Sequence, residues 1–171
     1  IIVTNTPTAV TEATAEMAFG LIIAVTRRIC EYDRLIRNKG RWDWGMSGTE
    51  LVGKTLGIIG FGRIGQSVAR RAKAFGMNVI YYQRIPRVKA KDEEDGCCYK
   101  PFQQLLEVSD VVSIHVPLTK GTYHLIGAEQ LGTMKKGSFL INTARGPVVD
   151  EEALVRALES GHLGGAGLDV F

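Results

Sequence analysis

The stretch Lys54-Thr-Leu-Gly-Ile-Ile-Gly-Phe-Gly-Arg-Ile-Gly-Gln66 decides the fold. Leu56 to Ile59 form a short apolar run of the length of a buried parallel strand. It enters Gly60-Phe61-Gly62-Arg63-Ile64-Gly65, a G-x-G-x-x-G, and a helical pattern follows with Ile64, Val68, Ala69, Ala72 and Phe75 on one face. Each glycine has its own physical requirement. Gly60 permits the tight bend out of the strand, Gly62 lets backbone N–H groups approach a pyrophosphate, and Gly65 lets the helix pack closely on the strand. The helix N-terminus, with Arg63 and Ile64 in its first turn, then faces the anion. An ordinary βα turn without a ligand is the competing reading. The setting between a buried strand and an amphipathic helix weighs against it.

Outward from this turn the chain alternates strand and helix. Asn78 to Tyr82, Val111 to Val116, Ser138 to Asn142 and Gly165 to Val170 read as further strands. Between them, Pro101 opens a short helix through Glu107, Gly127 to Met134 forms a helical turn or two, and Asp150 to Ser160 stops at Gly161. Repeated βα units with short apolar strands imply an α/β fold, a Rossmann-type doubly wound parallel sheet covered on both faces. Ligands of such sheets bind beyond the carboxyl ends of the strands. The informative segments are therefore Gly60–Gly65, Gln83–Arg87, Val116–Thr122, Thr143–Arg145 and Asp169.

Upstream, Ile1 to Thr4 read as a strand broken by Asn5-Thr6-Pro7. One long N-terminal helix is expected from about Glu12 to Asn38, with Thr11 as its N-cap. Its apolar positions spread beyond a single stripe, which is the pattern of a helix packed against two things and points to contact with a second domain or subunit. Residues 39 to 50, with Trp42 and Trp44, read as a loop rich in aromatic and small residues.

Composition bounds the function. The 171 residues suffice for one core, and 45% apolar with 23% charged content is globular. A net charge of +3 without a basic stripe does not argue for nucleic acid. No apolar run approaches the roughly 20 residues of a membrane span. Cys30, Cys97 and Cys98 have no metal-ligand spacing and no disulfide pattern, which fits a cytoplasmic location. The start Ile1-Ile2-Val3, without an initiator Met, suggests a piece of a longer protein.

At the end of the second strand stands Tyr82-Gln83-Arg84, and no carboxylate appears before Asp92. An NAD site usually places an acidic residue there for the ribose hydroxyls. A guanidinium instead suits a 2′-phosphate, so Arg84 favours NADP, with NAD as the other possibility. Lys89 and Lys91, by contrast, read as solvated charges balanced by Asp92-Glu93-Glu94-Asp95.

The run Asn142-Thr-Ala-Arg-Gly-Pro-Val-Val-Asp-Glu-Glu-Ala-Leu154 resembles the signature of the D-2-hydroxyacid dehydrogenases. So do His115-Val-Pro-Leu-Thr119 with Thr122 and Leu125-Ile126, and Gly164-Gly-Ala-Gly-Leu-Asp-Val-Phe171. Within that family, Tyr81-Tyr82-Gln83-Arg84 looks most like the NADPH-using glyoxylate/hydroxypyruvate reductases. The resemblance implies reduction of a small 2-oxo acid, with Arg145 gripping its carboxylate and polarising its carbonyl. It implies that Thr143, Ala144 and Asp169 contact the nicotinamide half. It places Pro117 and Thr122 around the adenosine half, and Ile85, Pro86 and Val116 join Arg84 among the cofactor contacts. The family's acid–base pair is a Glu and a His. His115, His124 and His162 do not match that His, and the Glu would fall beyond Phe171. The resemblance thus implies a cofactor domain over residues 11–171, entered through a hinge at 1–10, without most of the substrate domain. It also implies a homodimer in the full-length protein. The alternatives are NAD-linked phosphoglycerate or D-lactate dehydrogenase chemistry, or a dinucleotide-sensing module like the corepressors of this fold.

Overall fold

A computed structural model describes residues 9–40, 47–85 and 96–171 of the chain. The expected strand Ile1–Thr4 and the Trp42/Trp44 loop lie outside the described residues. Six strands form one sheet in the order β3-β2-β1-β4-β5-β6. They are β1 (Thr55–Ile59), β2 (Asn78–Tyr82), β3 (Cys98–Tyr99), β4 (Val111–Ile114), β5 (Phe139–Asn142) and β6 (Gly165–Leu168). Every pairing is parallel. Short edge strand β3 was not expected, because two residues are too few to show a period. The strands at Val111 and Gly165 also end earlier than expected, at Ile114 and Leu168.

Among the described residues the helices are α1 (Thr11–Thr26), α2 (Ile29–Lys39), α3 (Arg63–Ala74), α4 (Phe102–Val108), α5 (Ala128–Thr133) and α6 (Glu151–Glu159). One core cluster joins α1 and α3 to one face of the sheet through Phe19, Ile22, Ile58, Val68, Tyr81 and Ile141. The other joins α4, α5 and α6 to the opposite face through Ile59, Leu105, Ile114, Leu131, Leu140 and Leu154. Successive residues of one strand serve different clusters, as the two-residue pleat requires.

The single long N-terminal helix is corrected to two. Arg28 takes a left-handed conformation, φ 55° and ψ 34°, between α1 and α2. The cause is tertiary. The carbonyl of Thr26, which a continued helix would need, accepts the N–H of Thr49 at 2.7 Å. Gly48 presses on this corner so closely that a Cβ there would stand 2.8 Å from Arg27 Cα. Arg28 is then held by paired bonds to both oxygens of Glu31, each 2.6 Å. Thr11 is not the N-cap either; it is the first helical residue, and Val10 before it makes no side-chain cap. Within the domain, α1 packs on α3 and on β5 and β6. Gly165 and Gly167 allow that approach: a Cβ at Gly167 would stand 3.0 Å from Leu21 Cβ.

Candidate functional site

The register lines up the strand ends. Ile59 pairs with Tyr82 and Ile114, Ile114 with Asn142, and Asn142 with Leu168. The segments following β1, β2, β4, β5 and β6 therefore emerge in one row along the carboxyl edge. Four strand spacings of about 4.8 Å separate β2 from β6, so a ligand touching Arg84 and Asp169 must span about 19 Å. An elongated dinucleotide is of that scale.

At the centre of the row the glycine turn has the geometry its spacing predicts. Gly60 has φ +95°, and a Cβ on it would stand 2.5 Å from His115 O and 2.9 Å from Val116 Cγ1. Its N–H donates to Tyr82 O at 2.9 Å, which ties the turn to the end of β2. A Cβ on Gly65 would collide with Gly60 O and approach Ile58 Cγ2 to 3.1 Å. Gly62 differs from both, since nothing lies within 4 Å of its Cβ position. That open space stands at the mouth of α3. Its first intrahelical bond runs from Gln66 N to Gly62 O, so the N–H groups of Arg63, Ile64 and Gly65 precede it. These donors beside open space fit a phosphate group.

On the β2 side, Arg84 and Ile85 are exposed, and Gln83 Nε2 donates to Ile85 O at 2.6 Å. Arg84 enters no ion pair among the described residues. Pro86 and the charged run to Asp95 lie outside the described residues. On the β4 side, Val116 is half-buried and Pro117 exposed. The Thr122 hydroxyl is occupied within its own loop: it donates to Pro117 O at 2.6 Å and accepts from Thr119 N at 2.8 Å. Thr122 thus shapes the Pro117–Thr122 loop.

After β5 comes the loop expected to carry the chemistry. Asn142, the first residue of the Asn142–Leu154 motif, braces it from below. Its Oδ1 accepts from Ala144 N at 3.0 Å, its Nδ2 donates to Arg145 O at 2.9 Å, and its carbonyl accepts Asp169 N at 3.0 Å. One buried residue, through its side-chain amide and its backbone carbonyl, therefore sets Ala144, Arg145 and Asp169 relative to one another. An Asn ending an apolar strand, three residues before an Arg, was the available signal. Arg145 is exposed, and its Nη1 donates to Ala144 O at 2.6 Å. Thr143 is buried, and its Oγ1 has no hydrogen-bond partner. Gly146 is required behind Arg145, because a Cβ there would run into the Phe171 backbone.

The three histidines lie in different settings. Burial lowers the His115 imidazole to about 4, so it is neutral at pH 7, and its Nε2 lies 2.9 Å from Ser113 Oγ. His124, at φ 48°, stacks on Tyr123. His162 Nε2 lies 2.9 Å from Met134 O, at the opposite edge of the sheet. No group of metal-ligating side chains occurs among the described residues. No helix among them is long and apolar enough to cross a membrane.

A dinucleotide fits these residues on three observations: the open space at Gly62, the unbonded Thr143 hydroxyl beside Arg145, and the row of strand ends. Comparison with known proteins agrees. Residues 19–171 match the D-isomer specific 2-hydroxyacid dehydrogenase, NAD binding domain family. A glyoxylate reductase of Thermococcus litoralis is 54% identical over 100% of this chain and 54% of its own length. One of Korarchaeum cryptofilum is 53% identical over 100% of this chain and 52% of its own. The crystal structure of a glyoxylate reductase from Paecilomyes thermophila superposes with a TM-score of 0.92 at 46% identity, covering 100% of this chain and 52% of that one. D-lactate dehydrogenase from Aquifex aeolicus, solved with NAD and lactic acid, gives 0.91 at 44% identity, covering 100% and 51%. The chain spans about half the length of these relatives. The chain belongs to the D-isomer specific 2-hydroxyacid dehydrogenase family, within its nicotinamide-dinucleotide-binding domain.

Proposed function

We propose that this chain is the cofactor-binding half of an NADP-dependent reductase that converts glyoxylate or hydroxypyruvate to glycolate or glycerate. The observation that carries the reading is the exposed Arg145 guanidinium on a loop braced by Asn142, in the same row of strand ends as the glycine turn. Gly62 with the Arg63–Gly65 N–H groups holds the pyrophosphate, and Arg84 holds the 2′-phosphate. Ile85, Pro86, Val116, Pro117 and Thr122 flank the adenosine half. Thr143, Ala144 and Asp169 meet the nicotinamide half. The bound cofactor supplies hydride. Arg145 supplies the rest of what this chain offers: it grips the 2-oxo acid carboxylate and stabilises charge growing on the carbonyl oxygen. The family's acid–base pair is a Glu and a His that His115, His124 and His162 do not match, so we assign that pair to another part of the full-length enzyme, beyond the 11–171 cofactor domain and its 1–10 hinge.

Relatives named glyoxylate reductase support the substrate, and the guanidinium at Arg84 supports NADP over NAD. A dinucleotide sensor would have no use for Arg145. Helix α2 has no buried residue, yet Ile29 and Ile36 lie on it 50% and 47% exposed, which supports a homodimer in the full-length protein. The absence of a disulfide among the described residues supports a cytoplasmic location. The test is a substrate panel on the full-length protein with NADPH and NADH. Glyoxylate and hydroxypyruvate reduction with NADPH preferred is expected. Preference for pyruvate with NADH would move the protein to D-lactate chemistry.

A further inference from the structure

His115 has no part in the function proposed above, yet its place is central. It follows β4, which lies between β1 and β5, so it stands between the glycine turn and the Thr143–Arg145 loop. Its backbone serves the turn: the N–H donates to Ile59 O at 2.7 Å, and the carbonyl lies against Gly60. Its side chain serves the other flank. The contact from Nε2 to Ser113 Oγ puts both side chains on one face of the strand. That is the face whose core cluster contains Val111 and Ile141, so strand alternation places Thr143 on it too. Ile114 pairs with Asn142, which makes His115 and Thr143 the first residues beyond the ends of adjacent strands.

Each of these two residues carries one buried polar atom without a hydrogen bond, His115 Nδ1 and Thr143 Oγ1. An unsatisfied buried polar atom is costly, and native proteins keep few of them. Two on neighbouring strand ends, beside a loop meant to bind a ligand, call for a common explanation. Desolvation keeps the ring neutral, and in the tautomer in which the Ser113 hydroxyl donates to Nε2 the ring proton sits on Nδ1. The Thr143 hydroxyl is an acceptor for that proton.

We propose that His115 is a positioning residue for the cofactor: when the dinucleotide binds, Nδ1–H of His115 pairs with Thr143 Oγ1 and locks the nicotinamide-side loop to the glycine turn. The inference rests on the dinucleotide reading of the site. It names a residue through which the two flanks of that site are held in one geometry.

The test uses this chain with histidine labelled by ¹⁵N, and NADPH and NADH as ligands. Saturating NADPH should shift the His115 Nδ1 resonance and slow exchange of its proton, and Thr143→Val should abolish both effects. His115→Phe should weaken NADPH and NADH alike, by about tenfold, the scale of one hydrogen bond. His115→Asn, which places an amide near Nδ1, should recover most of that affinity, whereas His115→Gln, which reaches toward the Nε2 position, should not. Melting temperatures of the variants separate positioning from folding. An Nδ1 signal unmoved by NADPH, an equal shift in Thr143→Val, or equal rescue by Gln and Asn would each overturn the proposal. Failure of the function reading looks different, because Arg84→Ala would then spare NADPH binding, or wild type would bind neither cofactor.

Discussion

A side chain added at Gly62 and one added at Gly65 have opposite consequences. At Gly62 the backbone (φ −77°, ψ −163°) is open to any residue, and the Cβ position meets nothing within 4 Å. Gly62→Val should therefore keep the fold and block the approach of the pyrophosphate, abolishing binding of NADPH and NADH together. At Gly65 the methyl of alanine collides with Gly60 O, a backbone atom that cannot swing aside. Gly65→Ala should cost about 1–3 kcal/mol of stability, the usual range for overpacking. Urea unfolding beside a cofactor titration distinguishes the two, and a destabilised Gly62 variant with intact binding would reverse the assignment. Arg84 tests the other end of the row. Arg84→Ala should weaken NADPH by about 1.5–3 kcal/mol, the scale of a charge-assisted hydrogen bond, and leave NADH nearly unchanged. Equal losses for both cofactors in a fluorescence titration would sink the NADP reading.

Among the elements, the amino edge of the sheet is pinned by Asp110, just before β4. Its Oδ2 accepts Thr55 N of β1 at 2.8 Å, and its Oδ1 lies 2.6 Å from Lys135 Nζ, between α5 and β5. Burial pushes this carboxyl up, but the Lys135 ammonium and the Thr55 N–H outweigh burial and hold it below its ordinary 3.8. Because the folded form is the stronger acid, the unfolded chain takes up the proton first on acidification. The stabilisation is thus complete above the ordinary value and fades as the pH falls below about 4. Asp110→Ala should cost about 1–3 kcal/mol at pH 7 by orphaning a partly buried N–H. That gap to wild type should narrow at pH 3 in urea unfolding; a gap independent of pH would mean the carboxylate charge contributes nothing. The break between α1 and α2 belongs to this scale too, since the Thr49 N–H that takes the Thr26 carbonyl comes from outside either helix.

For the whole molecule, the binding surface and the chemistry separate. Every strand end that the dinucleotide would cross is present, so the chain as it stands should bind NADPH. It should show no reductase turnover with glyoxylate or hydroxypyruvate. Arg145 stands on an exposed edge, and with the acid–base pair assigned elsewhere, as proposed above, a contribution of about 10²–10⁴-fold would be missing. NADPH absorbance with each substrate, beside a binding titration, is the check. Turnover near that of the intact enzyme would place the acid within these residues. Much of this was legible in the sequence because it is local. The glycine spacing, the two-residue pleat and the apolar strand runs are short-range patterns whose physics acts between near neighbours in the chain. Three features were not legible, since each depends on atoms far apart in sequence. The turn at Arg28 needs the Gly48–Thr49 segment, the brace from Asn142 to Asp169 needs β6 beside β5, and the unbonded pair His115 and Thr143 needs β4 beside β5. Local pattern determined which segments become strands and which turn faces the ligand; only tertiary packing decided where a helix stops and which side chains meet, because those energies arise from contacts that exist once the sheet has formed.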